Sequence, residues 1–149
     1  MTTITPFLWL NHDLDDVIAH YSSVFDSVPV EDQQRMPDGS LLTATITLAG
    51  QRVGLLSGGQ ALPSEAFSFM VSVQTQDEVD RYWDQLTADG GQESQCGWLK
   101  DRFGVSWQII PTALGRLLGD PDAARAARAM QAMFTMRKIV IADLEAAAG

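Results

Sequence analysis

The sequence predicts an α+β fold, with two βαβββ modules in succession followed by C-terminal helices. Three observations carry this. The order strand, helix, strands occurs near residues 4–58 and again near 66–111. Within the first occurrence Thr43, Thr45 and Thr47 alternate with Ala44, Ile46 and Leu48, the period-two pattern of a half-buried strand. Beyond Pro111 the composition turns rich in Ala and Met, which are strong helix formers.

Taken in order, "ITPFLWL" (Ile4 to Leu10) is a short apolar run of strand type. In "NHDLDDVIAHYSSVF", Leu14, Val17, Ile18, Tyr21 and Phe25 fall on one face of a helix. Asn11 or Asp13 serves as its cap, while Asp15 and Asp16 suit the positive end of the helix dipole. Polar residues and the turn "PDGS" follow Pro29. "LLTATITLAGQRVGLLSGG" then reads as two strands joined at Ala49–Gly50.

After the linker "QALPSE", "AFSFMVSVQ" (Ala66 to Gln74) alternates as a strand, with Phe67, Phe69, Val71 and Val73 on one side. Thr75 and Glu78 open a helix as a capping box. Val79, Tyr82, Trp83 and Leu86 continue it, and Gly90–Gly91 stops it. Short strands near Gln92 to Trp98 and Gly104 to Pro111 flank "KDRFG", read as a solvated hairpin turn. In the tail, Asp120–Pro121 suits a helix start and Ala126, Met130, Met133 and Met136/Arg137 form a stripe of core-packing type. A last helix is expected over Ile141 to Ala147.

Bulk properties narrow the function classes. A chain of 149 residues buries roughly 68–70% of its unfolded surface and needs no disulfide or structural metal to fold. Its single cysteine makes an internal bridge impossible and fits a cytoplasmic location. The apolar run near the N-terminus is far shorter than the ~20 residues that cross a bilayer. A net charge of −9 with scattered basic residues works against nucleic acid and membrane partners.

"QCGWLKDRFGVSWQIIPTAL", with "FSFMVSVQTQDEVDRYWDQL" upstream and "MQAMFTMRKIVIADLEAA" downstream, resembles the PhnB-like, 3-demethylubiquinone-9 3-methyltransferase-like branch of the glyoxalase/bleomycin-resistance (vicinal oxygen chelate) superfamily. The resemblance implies one glyoxalase-like domain over residues 1–149, with modules at 4–58 and 66–111 and a helical extension at 112–149. It further implies mixed sheets curved around a cavity, and a homodimer. It reserves Pro6, Ser68 and Gln108 for the metal ligands of metal-dependent members. Proline cannot ligate through its side chain and neutral serine is a poor ligand, so no metal and no cofactor are expected. The glycine doublets Gly58–Gly59 and Gly90–Gly91 follow a strand and end a helix, unlike the strand-to-helix glycine loop that cradles a methyl donor.

The candidate ligand-binding residues are Trp9, Ser68, Ser72, Cys96, Trp98 and Gln108. Trp9, Trp98 and Trp107 either line a cavity or pack as core. Ser68 and Ser72 form a polar row on the face opposite Phe67 and Phe69, and Gln108 points with Ile110. A carboxamide on such a face needs a partner, whether a side chain or a ligand. Cys96 is a nucleophile only if a base or positive charge activates it; otherwise it is a small buried hydrophobe. The expected function is metal-free binding of a small apolar or aromatic molecule. The alternatives are an enzyme of lyase, isomerase, dioxygenase or transferase type with a non-standard site, and an assembly role for the C-terminal helices. Catalytic residues are not identifiable from the sequence.

Overall fold

A computed structural model describes residues 1–149, and the chain divides into two compact units, Met1–Pro63 and Ser64–Gly149. No helix is long and apolar enough to cross a membrane.

In the first unit, β1 (Phe7–Leu10), α1 (Leu14–Val24), β2 (Val30–Arg35), β3 (Leu41–Leu48) and β4 (Gln51–Ser57) build a sheet of order β1-β4-β3-β2. β1 lies parallel to β4, and the other pairs are antiparallel. Ala44, Ile46 and Leu48 alternate inward, while Thr43, Thr45 and Thr47 face the other way, as the period of two requires. Leu14, Val17, Tyr21 and Val24 of α1 are buried along with Leu8, Leu10, Val53 and Leu55 of the sheet. Asp13 caps α1 by accepting from the Asp15 N–H at 2.8 Å. Asp15 takes a two-pronged ion pair from Arg35 on β2, at 3.0 and 3.2 Å.

The sequence expectation missed β2. "VEDQQR" has no apolar period because it is an edge strand exposed along nearly its whole length, held by backbone pairing to β3. The first strand is also shorter than expected, beginning at Phe7 rather than Ile4.

The second unit repeats the connectivity with β5 (Phe69–Val73), α2 (Gln76–Thr87), β6 (Gln92–Glu93), β7 (Trp98–Lys100) and β8 (Ser106–Pro111), in the order β5-β8-β7-β6. β5 runs parallel to β8. Trp83, Val79 and Leu86 of α2 are buried with Leu99, Trp107 and Ile109. Thr75 caps α2 by accepting from the Glu78 N–H at 3.2 Å, and Glu78 in return accepts from the Gln74 N–H at 3.0 Å.

"KDRFG" is not a solvated turn. Lys100 belongs to β7, and Asp101 is 2% exposed. The Asp101 carboxylate accepts from the Phe103 N–H (2.9 Å), the Val105 N–H (3.0 Å) and Trp107 Nε1 (2.9 Å). A short carboxylate placed to collect the turn's own donors replaces water there.

Three helices complete this unit: α3 (Thr112–Leu118), α4 (Ala123–Phe134) and α5 (Ile141–Ala148). α3 was not anticipated, and the cap of α4 is Asp122 rather than Asp120. The Met stripe is displaced as well: Ala129 is fully buried and Met133 and Met136 pack, whereas Met130 is 42% exposed. The inward face is set by Leu114 and Leu117 of α3 and Leu144 and Ala148 of α5, and α4 ends before Met136.

Candidate functional site

The second sheet has two unlike faces, set by strand parity. Phe69, Val71 and Val73 share a face with Trp107 and Ile109, on the side where α2 buries Trp83 and Leu86. On the opposite face the register pairs Met70 with Gln108 and Ser72 with Ile110. Trp98 lies across from Gln108 and Lys100 across from Ser106. The C-terminal helices cover this side at Ile110, which packs against their core, whereas Met70 is 59% exposed and Trp98 and Gln108 are half-buried.

Two of the sequence candidates meet on this face. Gln108 Nε2 donates to Ser68 Oγ at 2.9 Å, so the carboxamide has a side-chain partner and a fixed orientation. Ser72 lies exposed further along the same strand. Trp98 stands beside them and lines a cavity of about 190 Å³ together with Glu65, Ser94, Leu99, Lys100 and Ser106. Four polar residues of that lining escaped the sequence reading. Strand parity carried the signal for two of them, because Lys100 and Ser106 are two residues from Trp98 and Gln108 and so fall on their face.

Cys96 is placed differently. It occupies a tight turn with Gly97, both at positive φ (58° and 85°), and its N–H donates to the Met136 carbonyl at 2.9 Å. The Gly97 N–H donates to the Arg137 carbonyl at 2.7 Å. The turn is thereby fastened to the segment between α4 and α5.

Trp9 belongs to the first unit. Its indole Nε1 donates to the Gly58 carbonyl at 2.6 Å, the ring lies over Gly59, and the residue is 52% exposed. Phe7, 60% exposed, lies over Gly54, where a Cβ would collide with its ring. Both aromatics therefore rest on glycine backbone on the open side of the first sheet. His12 is exposed at the entry to α1, whereas His20 is buried in α1 beside Tyr21.

A family model described as 3-demethylubiquinone-9 3-methyltransferase matches residues 2–110, stopping where β8 gives way to the C-terminal helices. Among solved structures, a PhnB protein from Bacillus cereus is 26% identical, covering 74% of this chain and 99% of its own, with a TM-score of 0.65. The fosfomycin resistance protein FosX from Listeria monocytogenes is 15% identical, covering 80% of this chain and 98% of its own, with a TM-score of 0.60. A second FosX structure, in complex with Mn(II) and sulfate, is 16% identical over 72% of this chain and 89% of its own, with a TM-score of 0.56. No curated protein matches the chain. The likenesses show a glyoxalase-like fold.

The positions that the resemblance reserves for metal ligands do not fit a divalent cation. Pro6 offers only its carbonyl, which accepts from the Gly54 N–H at 2.8 Å. Ser68 Oγ already accepts from Gln108, leaving the Gln108 Oε1 as the one uncommitted side-chain oxygen of the amide. Divalent metals take three or more N, S or O donors, commonly anionic or imidazole. Nowhere in the chain are three or more His, Cys, Asp or Glu side chains gathered to hold an ion.

Proposed function

The chain belongs to the 3-demethylubiquinone-9 3-methyltransferase family, and on that footing we propose that it binds a small apolar or aromatic molecule without a catalytic metal. The observation that carries the reading is the open face of the second sheet. There Trp98 and Met70 provide apolar area around a Ser68–Gln108 pair that holds itself in place. Apolar walls with a few fixed polar groups are the usual make-up of a small-molecule site. The Ser68–Gln108 bond stands where a metal-dependent relative would carry ligands, so the polar pair orients a ligand rather than an ion. The assembled form in this proposal is a homodimer. Phe7, Trp9 and Met70, large and exposed on open sheet faces, favour such an assembly.

The test combines titration with metal analysis. Neutral aromatic compounds are expected to quench tryptophan fluorescence saturably, with the quenching reduced in Trp98→Phe and the affinity weakened in Met70→Glu. Protein purified without chelator and carrying one metal ion per chain, lost in Gln108→Ala, would overturn the metal-free reading. Light scattering that shows only monomer would remove the dimer.

A further inference from the structure

Ser106 is 2% exposed, and its Oγ is buried without a hydrogen-bond partner. An orphaned hydroxyl in the interior costs stability, and a side chain as small as serine is easily replaced by alanine. Ser106 is among the residues that line the cavity of about 190 Å³ on the open face. The same cavity is lined by Lys100, whose Nζ lies 2.9 Å from the Glu65 carboxylate, and by Ser94 and the half-buried Trp98. Three donor-bearing side chains and an aromatic wall thus line one cavity.

We propose that this cavity binds a small aromatic carboxylate, its carboxyl oxygens taken by Lys100 Nζ and the Ser106 hydroxyl and its ring lying along Trp98. Glu65 shows the kind of group to which Lys100 donates. It is an exposed side chain (66%) whose carboxylate occupies the lysine in the unliganded protein, and a ligand carboxylate displaces it. The Ser106 hydroxyl then gains the acceptor it lacks. A charge-assisted bond of this kind is stronger than a neutral one. At about 30 Å³ per water, the cavity holds roughly six water volumes, enough for one substituted ring. The proposal rests on the small-molecule reading above and adds the ligand's charge and the residues that select it.

The experiment titrates benzoate and benzyl alcohol, close in size and unlike in charge, into the full-length protein and three variants, following tryptophan fluorescence and amide shifts. Benzoate is expected to bind the wild type about tenfold more tightly than benzyl alcohol. Lys100→Gln should erase that preference. Glu65→Gln, which removes the internal competitor, should tighten benzoate about threefold. Ser106→Ala should weaken benzoate several-fold while raising the thermal midpoint of the unliganded protein. That pair of opposite signs would not arise if the hydroxyl only supported the fold.

Equal affinities for the two compounds would overturn the carboxylate site and leave aromatic binding standing. Benzoate bound with these variant effects, and benzyl alcohol not bound at all, would uphold the site and sink the apolar-ligand reading. Binding of neither compound would end both, and full benzoate affinity in Ser106→Ala would overturn the assignment of the hydroxyl.

Discussion

The two units share one connectivity and fasten it by different means. In the first, the sheet strands are four to eight residues long, and backbone pairing does most of the holding. Its β3–β4 connection is the two-residue turn Ala49–Gly50, with positive φ at both positions (46° and 89°), which matches the twist of a hairpin. In the second, β6 and β7 are two and three residues long, and side chains supply what the ladder lacks. Its β7–β8 turn is gathered by Asp101, and its open face carries the Ser68–Gln108 bond and the Lys100–Glu65 pair. A repeated topology therefore leaves the chemistry free to differ: the long-stranded unit presents aromatics lying on glycines, and the short-stranded unit presents a polar constellation.

The largest expected effect breaks this contrast at its root. Asp101→Ala strands two backbone donors and the Trp107 indole N–H in a buried turn, and should cost the second unit about 3–5 kcal/mol in urea denaturation. Asp101→Asn keeps one acceptor and should cost less. A loss below about 1 kcal/mol for the alanine variant would mean that pairing alone holds β7 to β8, as it holds β3 to β4.

Next in size is Gln76, which ties the C-terminal helices to α2. Its Nε2 donates to the Ile139 carbonyl at 2.9 Å, and its Oε1 accepts from the Ile141 N–H at 2.8 Å. Gln76→Ala should cost about 1–2 kcal/mol. It should also speed amide exchange over residues 136–149 while leaving residues 1–63 unchanged. Exchange that rises equally in both units would show that the extension is not held locally.

The same contrast explains what the sequence disclosed. Alternation in Thr43 to Leu48 and helical spacing in α1 and α2 are written in side-chain type, and so were legible. β2 carries no such period because neither of its faces is buried, and β6 and β7 are too short to show one. That Ser68 and Gln108 share a face followed from strand parity, while the bond between them did not. Lys100 and Ser106 fall on that face by the same parity, but the cavity they line was not legible, because a buried aspartate in "KDRFG" is spelled the same way as an exposed one. Burial by non-local neighbours is not encoded in a five-residue window. The inward face of α4 was misplaced for a related reason, since α3 and α5 choose it.

A smaller effect concerns two of the three turns that hold a non-glycine residue at positive φ ahead of glycine, Asp89–Gly90 being the third. Ala49 and Cys96 both sit in the left-handed region, which favours Gly, Asn and Asp. Asn at either position should raise stability by about 0.5–1 kcal/mol. Cys96→Ser should leave folding and ligand binding within error. The following glycines separate the units again: nothing lies within 4 Å of a Cβ built at Gly50, whereas at Gly97 it would meet Ile110, Ile139 and the Ile109 carbonyl at 3.0–3.1 Å. Gly97→Ala should therefore destabilise more than Gly50→Ala. Equal losses would show that backbone conformation, and not crowding against the C-terminal segment, governs both turns.

The smallest effect is a pH dependence with one anchor in each unit. In the second, Lys138 Nζ lies 2.9 Å from Asp80, and the hydrogen bond from Lys138, followed by that from Gln76, holds this carboxyl below its usual range. In the first, the hydrogen bond from Arg35 does the same for Asp15. A carboxyl whose folded pKa lies below its unfolded value near 3.8 contributes fully above that value and loses its contribution as pH falls through the folded pKa. Acidification below about pH 4 should thus loosen α2 from residue 138 in one unit and α1 from β2 in the other. Both pairs are partly solvent-exposed, so salt should shrink the effect. Asp80→Asn should flatten the acid response of amides in residues 136–141 without changing that of residues 30–35, and Asp15→Asn should do the reverse. If either variant flattened both regions together, the two units would be responding to acid as one cooperative body rather than through separate ion pairs.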